Sequence, residues 1–107
     1  MDAVAEQRID FLYPDGQLVP VHARLGRPYP HPKGDWACLV QTEGLPERGD
    51  PTELFGVGPM HALMIGARFL HLRLSSEVAR GAVPHYEGGR DVMSINSLFV
   101  FPAAESD

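Results

Sequence analysis

The sequence predicts an α+β fold: an antiparallel meander of three strands, one long helix packed on it, and a strand that returns at the C-terminal end. Three observations carry this. Alternating apolar and polar residues recur in the first 43 positions. A single long segment, Gly56 to Leu74, has helical periodicity. An apolar run, Val92 to Phe101, follows it. The order is β-β-β-α-β, with the helix across one face of the sheet.

The strands come first. Ala5 to Tyr13 sets Gln7, Ile9, Phe11 and Tyr13 against Glu6, Arg8 and Asp10, the pattern of a half-buried strand. Pro14-Asp15-Gly16-Gln17 is turn chemistry, since Pro presets φ and Gly supplies a positive φ. Leu18 to Leu25 then places Val19, Val21, Ala23 and Leu25 on one face, giving an antiparallel hairpin. Pro20 has no N–H to donate, so that strand is expected to be edge-like near its start. Gly26 to Gly34 is a stiff Pro/Gly loop, and Asp35 to Glu43 is the third strand, with Trp36, Cys38, Val40 and Thr42 on one side. Gly44 to Phe55 reads as a polar connection.

In the helix, Pro59 suits the first position and Gly58 the N-cap, though without a side-chain acceptor. Met60, Leu63, Ala67, Leu70 and Leu74 form the expected core stripe, meeting Val19, Val21, Trp36, Cys38 and Val40. Ser75 to Gly81 extends the helix, with Gly81 as its stop. His61, Arg68, His71 and Ser75 make a narrow polar strip. Beyond it Ala62, Ile65, Phe69 and Leu72 form a second apolar stripe, which a helix with one wet face does not need. That stripe is the expected interface, covered by the returning strand or by another subunit. Val83 to Asp91 is a loop or poor hairpin around Gly88-Gly89, and the tail, 102–107, is expected to fray. All 107 residues read as one domain.

The order of short pieces resembles a small bacterial family, domain of unknown function 6968. These pieces are Gly26-Arg27-Pro28, Asp35-Trp36-x-Cys38, Gly44-Leu45, Gly56-Val57 with Ala62-Leu63 beyond, and a closing Phe101-Pro102. The resemblance covers Val19 to Leu74 and the closing pair. Family members show Asp-Ser and then Gln where this chain has Gly58-Pro59 and His61, which removes a side-chain N-cap here. The resemblance implies a fold and lends no activity.

Composition narrows the function. The net charge is −5 with no basic block, which argues against nucleic acid as a partner. One cysteine excludes an internal disulfide and a thiolate zinc cluster. The N-terminus has early acids and no apolar run, and the most apolar segment is too short and too charged to span a bilayer. The expectation is a soluble, cytoplasmic protein with no membrane association.

No catalytic set, cofactor motif or metal-ligand spacing stands out, so the reading leans away from an enzyme and from any cofactor or metal. His61 and His71 lie about 15 Å apart along a helix, too far to share an ion. Cys38, alternating with Trp36 and Val40, reads as a core residue. Glu47, Asp50 and Glu53 read as a solvated connection, and Glu87 and Asp91 as the flanks of a turn. Gly56-Val57-Gly58 lacks the Lys and further glycines of a phosphate-binding loop.

The leading expectation is a non-enzymatic binding or adaptor module, self-associating as a homodimer through the long helix. A second is a ligand-binding or enzymatic domain with a pocket between helix and sheet, using Arg68, His71 and His22. A third is an escort or neutralising protein for a protein partner encoded nearby, on analogy alone. The loop with Arg27, Tyr29 and His31 is the candidate recognition loop, because stiff loops bearing aromatics lose little entropy on binding.

Overall fold

A computed structural model of the chain describes residues 1–46 and 49–100. The elements are β1 (Ala3–Leu12), β2 (Leu18–Gly26), β3 (Tyr29–Pro30), β4 (Trp36–Glu43), β5 (Thr52–Gly56), α1 (Pro59–Ala79), β6 (Val83–His85) and α2 (Ile95–Leu98). The α+β class holds, as a six-stranded sheet with the long helix on one face. All pairings are antiparallel.

The register shows how the strands lie. Val40 pairs with both Leu25 and Thr52, and Ala37 with both Tyr29 and Phe55. β2 and β3 therefore lie end to end along one edge of β4, with β5 on the other. β1 pairs with β2 throughout, and β6 with the last three residues of β1. Pro20 falls where β2 has β1 on one side only, because the pairing of β2 with β4 begins at His22. Its missing N–H therefore faces no strand, in keeping with the edge-like start expected there.

Two expectations about strands are corrected. Thr52–Gly56, read as part of a polar connection, is a strand. Its alternation is real but too short to stand out beside Pro51: Thr52 and Leu54 face the helix with Val40 and Cys38, while Glu53 and Phe55 face outward. Among the described residues the returning strand from Val92 is not formed. Val92 makes a single bridge to His85, and Ser94 then caps α2, its side-chain oxygen accepting from the Ser97 N–H at 3.1 Å. That cap bond turns the chain into a helical turn instead of an extended strand. The expected tail 102–107, Phe101-Pro102 and Glu47 lie outside the described residues.

The helix is bounded as expected: Gly58 is the N-cap with no side-chain bond, Pro59 follows it, and Gly81 stops the chain with φ +97. Its buried stripe is different. Ala62, Gly66, Leu70, Leu74 and Glu77 face the sheet, while Met60 is 76% exposed and Leu63 and Ala67 are half-buried. The reason is close approach. A Cβ on Gly66 would stand 2.7 Å from Cys38 Sγ, and one on Gly56 would stand 2.5 Å from the Ala62 nitrogen. The first half of α1 lies so near β4 and β5 that only Ala and Gly fit. The larger leucines take over where the gap widens.

The core joins Ile9, Phe11, Val21, Ala23 and Val40 of the sheet to Leu70 and Leu74, and to Ala82, Met93 and Ile95 beyond the helix. Cys38, fully buried, packs under Gly66. The far face of the sheet carries charge. Over part of it folds the turn around Gly88, whose N–H donates to buried Asp10.

Candidate functional site

A concavity lies between the C-terminal half of α1 and the segment that follows it. The chain turns at Gly81, and the Ala82 N–H donates back to the Glu77 carbonyl at 3.0 Å. The Met93 N–H donates to the Pro84 carbonyl at 2.8 Å, so 83–93 runs as a narrow hairpin beside the helix. Ser94 then caps α2 and presents Asn96 to α1. The result is a cleft of about 780 Å³ lined by His71, Ser75, Val78, Ala79, Ala82, Val83, Pro84, Val92, Met93, Ser94, Ile95 and Asn96.

At one end sit three polar side chains. Asn96 Oδ1 lies 2.7 Å from His71 Nε2, and Ser75 Oγ lies 3.4 Å from the same nitrogen. With the Asn96 carbonyl oxygen toward the ring, Nε2 carries the hydrogen and donates it. A nucleophilic relay needs the hydroxyl on one ring nitrogen and the orienting group on the other. Ser75 and Asn96 both meet Nε2, and a nitrogen that donates to Asn96 does not take the Ser75 proton. This arrangement holds the ring against Phe99 (centroids 5.2 Å apart, edge to face) and leaves the Asn96 amide and the Ser75 hydroxyl at the cleft wall. No Lys, Arg, Asp or Glu is among the described residues that line the cleft.

The three residues expected to share a ligand do not meet. His71 lines the cleft, and Arg68 is exposed on α1. His22 pairs in register with Arg8 and Glu43 on the far side of the sheet. There Arg24 is the hub, reaching Glu6 at 3.0 Å, Gln41 at 2.9 Å and Glu43 at 3.1 Å. Its second terminal nitrogen donates to His22 Nδ1 at 2.9 Å, so His22 meets Glu6 through Nε2 at 2.9 Å. The hydrogen bond to Glu6 above all pushes the Arg24 pKa up. His22 is thus a member of a surface ion network.

The expected interface stripe is broken up. Ala62 is fully buried against Gly56, so it cannot reach a partner. Phe69 packs on the core with the Arg73 guanidinium 4.5 Å over its ring, and Ile65 is half-buried. Only Leu72 of the four is exposed, at 54%. The exposed apolar face of α1 is instead Met60, Met64 and Leu72, with Val57 before it.

The expected recognition loop is tied to its own domain. Arg27 Nε meets Asp2 at 2.9 Å, the Tyr29 hydroxyl donates to Glu53, and His31 stacks edge to face on Phe55. The Glu53 contact pushes the Tyr29 pKa up to about 12. Burial raises the Cys38 thiol, as suits a core residue. Among the described residues no three His, Cys, Asp or Glu side chains are grouped to hold a metal ion, and no helix is long and apolar enough to cross a membrane.

Asn96 and Ser75 were not singled out as ligand residues in the sequence. Ser94 was the available signal, since a serine favours the N-cap position of a helical turn, its side chain accepting a backbone N–H.

The fold sets a long helix on an antiparallel sheet and leaves a concave, largely apolar cleft beside α1. No family model, no curated protein and no solved structure matches the chain.

Proposed function

We propose that the protein is a non-enzymatic binding domain whose ligand is a small, uncharged, largely apolar molecule. The observation behind this is the cleft itself: largely aliphatic walls, no Lys, Arg, Asp or Glu among the described lining residues, and a His71–Asn96–Ser75 cluster at one end. An ion entering it would leave water without a counter-charge. A carbonyl or hydroxyl at the end of an alkyl or ring body would accept from Asn96 and Ser75 while its body fills the space between Val78, Ala82 and Ile95. The resemblance to domain of unknown function 6968 adds no activity to this reading. The test is methyl NMR with matched panels of short ketones, amides, carboxylates and alkylammonium ions. The neutral compounds shift the Ala79, Ala82 and Ile95 methyls, with dissociation constants on the order of a millimolar or tighter. Shifts elsewhere, or equal response to the ions, would overturn it.

A second reading, an adaptor or escort of a protein partner, is favoured by the exposed face of α1. Met60, Met64 and Leu72 flank Arg68 there, and no acid occurs from Pro59 to Ser76. Such a face suits an acidic amphipathic helix. Fluorescence anisotropy with a synthetic peptide of that kind checks it. Binding that survives both Met64→Glu and Arg68→Glu rejects this surface.

A further inference from the structure

Among the described residues the sheet has a long edge that no strand covers. β6 reaches only Asp10, Phe11 and Leu12 of β1, so among the described residues the outer edge from Ala3 to Ile9 has no strand beside it. Alternate residues direct N–H and C=O groups to that edge, a ready template for another strand. At about 3.3 Å per residue the bare stretch is about 23 Å long. It has no proline, and its one register shift lies at the start, between Ala3 and Ala5. Beside it, on the helix side, Ala5, Gln7, Leu70, Leu98 and Phe99 border an apolar recess of about 190 Å³.

We propose that this edge pairs with the same edge of a second copy, antiparallel, about a two-fold axis normal to the sheet. Opposed residues in such a pair share a face. Glu6 and Arg8 both project from the outer face, opposite Arg24 and His22 of β2. A register centred on Gln7 pairs Ala5 to Ile9 of one copy with Ile9 to Ala5 of the other, stopping where β6 covers Asp10 and leaving Ala3 and Val4, at the register shift, outside the pairing. It sets Glu6 of each copy against Arg8 of the other, two ion pairs for one axis. A register centred on Glu6 would oppose like charges. Glu6 already meets His22 and Arg24, and Arg8 meets Asp10 and Glu87, yet their side chains are 50% and 45% exposed and can serve a further neighbour. The contact is isologous and closes on itself. It brings the apolar recesses of both copies to the join. This self-complementarity is the argument for a second copy over a foreign strand.

Sedimentation velocity of the full chain tests the proposal. The wild type is expected to be a dimer at about 100 µM. Glu6→Arg and Arg8→Glu each place like charges in opposition, and each weakens the dimer at least about tenfold. Mixing the two variants restores it, because every opposed pair in the mixed dimer is again Glu against Arg. Circular dichroism confirms that each variant folds. If either does not, Ala5→Glu, at an exposed position bordering the recess, replaces it and is expected to weaken the dimer too. A wild type that stays monomeric overturns the proposal, including one that dimerises only when shortened to end at Val100. So does a dimer that the variants leave intact.

Discussion

The Tyr13 hydroxyl donates to Glu77 Oε1 at 2.6 Å, tying the end of the first hairpin strand to the last turns of α1. Glu77 is 4% exposed, a carboxylate buried at the helix C-terminal end where the helix dipole disfavours it. Arg80 lies 3.6 Å away, so the phenol and the guanidinium together satisfy it. Tyr13→Phe leaves the buried carboxylate one donor short. It is expected to destabilise the fold by about 1–3 kcal/mol in urea denaturation. A loss within about 0.3 kcal/mol would mean that the bond carries no net stability.

The same pair sets a pH dependence. Burial first, and then Glu77, hold the Tyr13 pKa well above its ordinary value, and burial raises Cys38 as well. Both groups stay neutral in the folded chain where the unfolded chain has begun to ionise. The folded state then binds more protons than the unfolded one, so these terms lower stability as pH rises. The contribution is fully present below the unfolded thiol and phenol values, about 8.5 and 10, and is lost above them. Denaturation midpoints from pH 7 to 11 are expected to fall on the alkaline side, less steeply for Tyr13→Phe than for wild type. Equal slopes would remove Tyr13 from the account.

The rotation of α1 is tested by two alanine substitutions. Leu74 is fully buried and Met60 is 76% exposed. Leu74→Ala is expected to cost about 2–5 kcal/mol, as a cavity in the core. Met60→Ala is expected to change stability by less than about 0.5 kcal/mol. The reverse ranking would restore the stripe that hydrophobicity alone picks out.

Much of the fold was legible because its signals are periodic. β1, β2, β4 and the bounds of α1 follow from alternation, turn residues, Pro59 and Gly81. The helix face was misread because a wheel weights Leu and Met, whereas contact with β4 selects Ala62 and Gly66 for smallness. β5 is too short to show its period. The C-terminal segment went wrong because its apolar residues match a strand, while the Ser94 cap acts through one side-chain bond that hydropathy does not register. For the site, His71 and Ser75 were named on one polar strip, but Asn96 comes from the Ser94-capped turn, which was not foreseen.

Gly66 offers a direct check on that close contact. Alanine there would gain about 1 kcal/mol in helix propensity. Its Cβ would also stand 2.7 Å from Cys38 Sγ and 3.2 Å from Leu25 Cδ1. Overpacking wins, and a net loss of about 1–3 kcal/mol is expected. Cys38→Ala removes the obstructing sulfur, so the double variant is expected to be more stable than the two single losses predict. Additive losses would show that Gly66 and Cys38 do not compete for space.

The central claim is that the cleft between α1 and 82–96 is a binding site for a neutral, mostly apolar molecule. The most direct measurement is calorimetric titration of a short alkyl amide and its matched carboxylate into wild type, Asn96→Leu and Ala79→Trp. The account predicts that the amide binds wild type more tightly than the carboxylate does, that Asn96→Leu weakens it about tenfold, and that Ala79→Trp, which fills the cleft, abolishes it. Amide binding that all three proteins share, or a preference for the carboxylate, would contradict it.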